Sequence, residues 1–159
     1  MNHRAIDLVK AFIAGFVSTL LFHQGLFTLF YFAGLVPRAP YDFKAVPPLA
    51  IPAVISLAFW GGAWGVAIWP FLRHVAGPSY WVRALVISAS ASGSVTLFIV
   101  SPLKGMPMAG GWSPKIIICT LLLNGTWGLG TALLANLMRP SCITHSELFV
   151  SPPRRKLST

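Results

Sequence analysis

Charged residues divide this sequence into four uncharged stretches, each of them long enough to cross a lipid bilayer. The stretches lie between Lys10 and Arg38, Lys44 and Arg73, Arg83 and Lys104, and Lys115 and Arg139. A membrane-spanning helix needs about 20 residues at 1.5 Å of rise each. Because backbone groups in lipid must bond within their own segment, we expect helices at about 11–36, 51–72, 83–103 and 115–138.

The overall composition favours the same fold class. The chain has 159 residues, of which 55% are hydrophobic and 9% are charged, which is too few charges to cover a soluble globule of this size. Soluble core helices are the alternative, but four consecutive segments would each have to be buried on every face. A cleaved signal peptide could explain the first stretch, but that stretch is about twice the usual length of a signal-peptide apolar region. The sequence predicts an all-α, polytopic integral membrane protein.

This protein is expected to be a four-transmembrane-helix bundle with both termini in the cytoplasm. Lys and Arg are more frequent in cytoplasmic flanks and short loops. Eight such residues fall on the side of the N-terminus and four on the other side: Arg4, Lys10, Arg73, Arg83, Arg139, Arg154, Arg155 and Lys156, against Arg38, Lys44, Lys104 and Lys115. The domain assignment is a membrane domain over 1–138 and a basic, disordered cytoplasmic tail over 139–159.

The expected location is a bacterial inner (plasma) membrane, crossed several times by the chain. The net charge of +9 is spread over short flanks without an aromatic-interleaved patch, so nucleic acid is not an expected partner. The flanks instead favour contact with the lipid bilayer and its anionic lipid head groups.

Small residues recur at four-residue spacing along the stretches. The first stretch contains Ala11, Gly15, Thr19 and His23, which share one helix face. Such faces let helix backbones approach closely, so we expect a tight bundle. The segment 62–65, Gly-Ala-Trp-Gly, is echoed by 125–128, Gly-Thr-Trp-Gly, which indicates either two tandem helix hairpins or a coincidence of residues common in membrane helices.

Polar side chains placed near the predicted midplane form the candidate site. The possible polar seam comprises Thr19, His23, Gln24, Ser92, Asn124 and Thr126. Polar groups inside a membrane are costly unless they have partners, and ionisable ones often mark a solute path. One interpretation is therefore that His23 lines such a path with Gln24 and Asn124. The other is that His23 bonds to Asn124 or to a serine of the third span and only holds the helices together.

Two tryptophans, Trp64 and Trp127, fall deep in the second and fourth stretches. Each indole N–H needs an acceptor or must border a wet cavity. They are either packed against the neighbouring glycines or form the wall of a cavity for an apolar or cationic ligand.

The sequence offers no catalytic constellation, so we expect that the protein is not an enzyme, and no cofactor or metal is expected. The chain has three acids, Asp7, Asp42 and Glu147, and they lie far apart in the predicted topology. Two functions remain: a small channel or transporter that uses the polar seam, or a non-catalytic membrane subunit or assembly factor of a larger complex. Four helices expose much lateral surface, so a homo-oligomer or association with other membrane subunits is expected.

Overall fold

The computed structural model describes residues 3–47 and 49–139, which form four long helices. They are α1 (His3–Phe32), α2 (Ala53–Leu72), α3 (Pro78–Leu103) and α4 (Pro114–Leu137). All four are long and apolar enough to cross a membrane, as the charge spacing predicts, and this is the architecture of a multi-pass membrane protein. The tail predicted for 139–159 lies outside the described residues beyond Arg139.

Three helix boundaries differ clearly from the sequence prediction: α1 begins at His3 rather than near 11, continuing through Arg4, Asp7 and Lys10, and two others are set by glycines in left-handed conformations. α1 ends at Phe32 rather than near 36, since Gly34 has a φ of 69° and the chain turns there. α3 begins at Pro78 rather than near 83, directly after Gly77 at a φ of 64°. Proline suits the first helical turn because its fixed φ is helical and its missing N–H is not needed there.

The connection between α1 and α2 contains a short antiparallel pair of strands, which the all-helical prediction does not include. The strands are β1 (Ala45–Val46) and β2 (Ile51–Pro52). This connection also closes the start of α2, because Ala53 N donates to Lys44 O at 2.9 Å and Val54 N donates to Asp42 O at 2.9 Å. Two amides that have no partner inside the helix are thereby satisfied.

Three π-helical turns interrupt the regular winding of α1 and α3. They lie at Thr19–His23 in α1 and at Ser88–Ser92 and Thr96–Val100 in α3. In the first turn, the hydroxyl of Thr19 donates to Gly15 O at 2.9 Å, one helical turn back along the chain. π turns within longer helices frequently coincide with functional sites.

Glycine allows the backbones of α1 and α2 to touch. A Cβ built on Gly15 would overlap the carbonyl oxygen of Gly61, and one built on Gly65 would overlap the carbonyl oxygen of Ala11. Thr19, at 2% exposure, faces Gly61 one turn further along α1. The small-residue face predicted for the first span is therefore confirmed as a close helix contact.

The contact between α3 and α4 is built in the same way. A Cβ on Gly125 would meet the side chain of Leu85, and one on Gly128 would overlap the side chain of Ser88. In the other hairpin, Gly62 faces Phe12 and Gly65 faces Ala11. The two Gly-x-Trp-Gly segments thus have the same role, since each provides a close contact with the preceding helix. Segment 62–65 contacts α1, and segment 125–128 contacts α3.

Candidate functional site

Two reciprocal hydrogen bonds join α1 to α4 around Trp127. The indole Nε1 of Trp127 donates to Gly15 O at 3.0 Å, and the hydroxyl of Ser18 donates to Trp127 O at 2.7 Å. Trp127 is 3% exposed and Ser18 is fully buried. The acceptor that a buried indole needs is therefore a backbone carbonyl of the neighbouring helix. In this structure Trp127 holds α1 and α4 together.

Trp64 packs beside a buried cluster of side chains from α2, α3 and α4. It is half-buried and packs against the group formed by Ile68, Leu72, Tyr80, Ala84, Trp127 and Ala132. Neither tryptophan lines the pocket between α1 and the end of α4, which includes Ile13 and Leu134, or the pocket beside His23. A cavity role for Trp64 and Trp127 stays a prediction.

The polar seam predicted from the sequence is divided between two helix interfaces. Ser92 and Asn124 meet between α3 and α4, where the hydroxyl of Ser92 donates to Asn124 Oδ1 at 2.5 Å. The Nδ2 of Asn124 donates to Thr120 O of its own helix at 2.8 Å. Both side chains are buried and have hydrogen-bond partners within the protein, as side chains that pack membrane helices together do. Thr126 of α4 is half-buried.

The other half of the seam, Thr19, His23 and Gln24, belongs to α1 where that helix meets α2 and the α1–α2 connection. His23 and Gln24 line a pocket of about 160 Å³, which we call the loop-side pocket. Its other lining residues come from α1, the α1–α2 connection, α2 and the start of the α3–α4 connection: Phe27, Arg38, Ala39, Tyr41, Asp42, Ala53, Val54, Leu57 and Lys104. The Nδ1 of His23 is buried and has no hydrogen-bond partner among the described residues.

Tyr41 fastens the α1–α2 connection over the loop-side pocket. Its backbone N–H donates to Gln24 Oε1 at 3.0 Å, and its hydroxyl donates to Leu20 O at 2.9 Å. Its φ of 51° is left-handed, a conformation that costs a non-glycine residue about 1 kcal/mol or more. A strained residue that is held by two long-range hydrogen bonds at a pocket is typical of a functional site.

The charges around the loop-side pocket are unequal. Arg38 and Lys104 supply two cations, and Asp42 is the acid among the lining residues. Arg38 and Lys104 are exposed, whereas His23 and Gln24 lie deeper in the bundle. The Oδ1 of Asp42 accepts a hydrogen bond from Lys44 N at 2.9 Å, so one of the two oxygens of this carboxylate already has a partner within the α1–α2 connection. The pocket therefore combines a cationic rim, a polar floor and an apolar wall.

Sequence reasoning placed His23 and Gln24 in a functional region but missed the residues that complete the pocket. In the sequence, Arg38 and Lys104 stand out only as flanking charges and Asp42 only as an isolated acid, and Tyr41 belongs to no motif. One available clue was that Asp42 is one of only three acids in the chain and stands between Arg38 and Lys44. Within 3–47 and 49–139, no three His, Cys, Asp or Glu side chains are grouped to hold a metal ion.

The fold has the architecture of a small multi-pass membrane protein, and the loop-side pocket, with both polar and apolar lining residues, lies toward one end of its helix bundle. Comparisons with protein-family models, with curated proteins and with solved structures find no match to this chain. Its function is therefore inferred from its own residues.

Proposed function

We propose that this protein is a small transport protein of a bacterial inner membrane and that its solute binds in the loop-side pocket. The observation that carries the proposal is the pocket between α1 and α2, which His23 and Gln24 line deep in the bundle and Arg38 and Lys104 line at its exposed edge. Polar and ionisable side chains inside a membrane-spanning helix are costly, and those that line a pocket there often mark the path of a solute.

The size of the pocket supports a small solute. Sites for drug-sized molecules occupy about 300–1,000 Å³, whereas the loop-side pocket has about 160 Å³. Phe27, Val54 and Leu57 form an apolar wall beside the polar groups. This mixture of an apolar wall and a few polar groups is typical of pockets that bind small molecules.

The two ends of the α1–α2 interface differ, as alternating access requires. At His23 the interface holds the loop-side pocket, whereas one turn below, Thr19 and Gly15 close against Gly61. The π-helical turn Thr19–His23 lies between the closed half and the half with the pocket. A π turn weakens the regular hydrogen-bond ladder, so this is where α1 would bend to open the closed half.

The proposed orientation follows from the positive-inside rule. The larger number of Lys and Arg residues beside the termini places both termini in the cytoplasm, and the loop-side pocket then faces the opposite compartment. Anionic lipid head groups would contact the basic flanks. A homo-oligomer would cover part of the exposed lateral surface of the four helices.

A flux assay with a pocket-filling variant tests the proposal. The purified full-length protein is reconstituted into liposomes, and swelling is followed by light scattering after addition of small neutral, cationic or anionic solutes. Leu57→Trp fills the loop-side pocket, because Leu57 is part of its wall. Leu122→Trp is the matched control, since Leu122 is 50% exposed on the outer face of α4.

We expect at least one class of solute to enter faster than into protein-free liposomes, with the added flux lost in Leu57→Trp and kept in Leu122→Trp. Equal permeation with and without protein for every solute class would contradict transport. Flux that is unchanged by Leu57→Trp would contradict the loop-side pocket as the solute site.

A second candidate function is a non-catalytic membrane subunit or assembly factor. The buried contact between Ser92 and Asn124 supports it, because both side chains have partners within the protein and this part of the seam offers no free polar group to a solute. This function predicts a stable foreign partner after gentle extraction from the native membrane. Co-purification of a stoichiometric partner, together with no flux by the isolated protein, would replace the transport proposal.

A further inference from the structure

We propose that the solute of the loop-side pocket is a small carboxylate with a short hydrocarbon or aromatic part. This inference rests on the proposed function and adds the chemical class of the ligand. It depends on four features of the pocket: its rim charges, the orientation of Gln24, the helix end beside it and its apolar wall.

The rim charges favour an anion. Arg38 and Lys104 line the loop-side pocket, and Asp42 is the carboxylate that accompanies them, which leaves the lining groups with a net positive charge. The Oδ1 of Asp42 already accepts from Lys44 N. Arg and Lys both bind carboxylates through short, charge-assisted hydrogen bonds. A cationic solute would instead meet two like charges at the rim.

Gln24 contributes donors rather than acceptors. A backbone N–H can only donate, so the side-chain atom of Gln24 that meets Tyr41 N at 3.0 Å is the carbonyl oxygen Oε1. The amide nitrogen Nε2, which carries two N–H groups, is then available to the pocket that Gln24 lines. The deep polar group beside His23 is therefore suited to an acceptor-rich ligand.

The pocket also lies at the N-terminal end of α2. Ala53 and Val54, the first two residues of that 20-residue helix, are part of its lining. The N-terminus of a helix carries the positive end of the helix dipole, which favours negative charge within about one turn. The amides of Ala53 and Val54 already donate to Lys44 O and Asp42 O, so the helix end adds only the field of its dipole, which has the same sign as the charges of Arg38 and Lys104.

The apolar wall favours a carboxylate with a hydrocarbon part over a bare inorganic anion. Phe27, Val54 and Leu57 offer no hydrogen bond to the fully polar surface of phosphate or sulfate, so burying such an anion there would leave oxygens unpaired. A carboxylate can place its oxygens toward Gln24 and the cations and its apolar part against this wall.

Three ligands of nearly equal shape test the charge preference. Radiolabelled benzoate, benzamide and benzamidinium are compared by equilibrium dialysis against the full-length protein in phosphatidylcholine nanodiscs. The Arg38→Gln/Lys104→Gln variant removes the rim charges. The Arg73→Gln/Lys115→Gln variant is the control, because it removes the same charge from exposed residues that do not line the pocket.

We expect benzoate to bind about tenfold or more tightly than its neutral and cationic analogues, and its affinity to fall about tenfold or more in the rim variant. The control variant should change affinity by less than about twofold, since exposed charges that do not line the pocket are screened by solvent and salt. Leu57→Trp should abolish benzoate binding. Tightest binding of benzamidinium or benzamide would overturn the carboxylate assignment, although the flux assay could still support transport of another solute.

Two further outcomes would also overturn the inference. Benzoate binding that survives Leu57→Trp would place the anion outside the loop-side pocket. Loss of benzoate binding in nanodiscs that contain phosphatidylglycerol would identify a lipid phosphate, rather than a soluble carboxylate, as the anion that the rim binds. Absence of flux for all solutes, with benzoate binding retained, would instead refute transport and leave the ligand assignment standing.

Discussion

Replacing Gly65 with alanine tests the contact that closes the bundle below the loop-side pocket. Carbon atoms in contact sit about 3.5–4.0 Å apart, but a Cβ at Gly65 would lie 3.2 Å from Gly15 Cα and would overlap Ala11 O. These are backbone atoms, so no side-chain rotation relieves the overlap and α1 and α2 must move apart. Overpacking of this kind costs about 1–3 kcal/mol.

The matched control is Gly25→Ala in α1, the helix that Gly65 of α2 contacts, since a Cβ on Gly25 would have no neighbour within 4 Å. Alanine gains up to about 1 kcal/mol of helix propensity over glycine in water, and both variants share this gain. Gly65→Ala should therefore be less stable than Gly25→Ala by about 1–3 kcal/mol. Reversible unfolding in mixed detergent micelles, followed by far-ultraviolet circular dichroism, measures the difference. Equal stability of the two variants would refute the close approach of α1 and α2.

Two hydrogen bonds inside the bundle give further predictions. Trp127→Phe removes the donor to Gly15 O and should destabilise the protein by about 0.5–1.5 kcal/mol in the same unfolding assay; an unchanged stability would contradict that contact. Ser92→Ala removes the donor to Asn124 Oδ1 and should cost a similar amount, about 0.5–1.5 kcal/mol. Ser94→Ala, at an exposed position of the same helix, is its control, and equal effects of the two serine variants would show that the α3–α4 contact is not as described.

The number and approximate positions of the helices could be predicted because charge is expensive in lipid and its spacing is visible in the sequence. The small-residue face of the first span could also be predicted, since Gly15 and Thr19 repeat at helical spacing. Which helix meets that face could not, because Gly61 of α2 and Gly128 of α4 are equally suitable glycines. Only the fold shows that Gly15 faces α2 while the neighbouring Ser18 faces Trp127.

The candidate site could be predicted only in part. The position of His23 and Gln24 near the predicted midplane marked them as candidate site residues. The same criterion grouped them with Asn124, which bonds to Ser92 in a different helix interface. The rest of the loop-side pocket comes from a connection that folds back through Tyr41 onto Gln24 and Leu20. Contacts of this kind depend on a left-handed backbone at a tyrosine, which follows no local sequence preference.

Cysteine accessibility is the most direct test of a pocket that opens on one side of a dry bundle. Leu57→Cys in the pocket wall and Ser92→Cys in the α3–α4 contact are made with Cys119 and Cys142 replaced by serine, and an impermeant thiol reagent is applied to each face of membrane vesicles. We expect Leu57→Cys to react only from the side of the α1–α2 connection and Ser92→Cys to react from neither side. No reaction at Leu57→Cys from either side would contradict the loop-side pocket as the solute site, and reaction at Ser92→Cys would contradict a closed contact between α3 and α4.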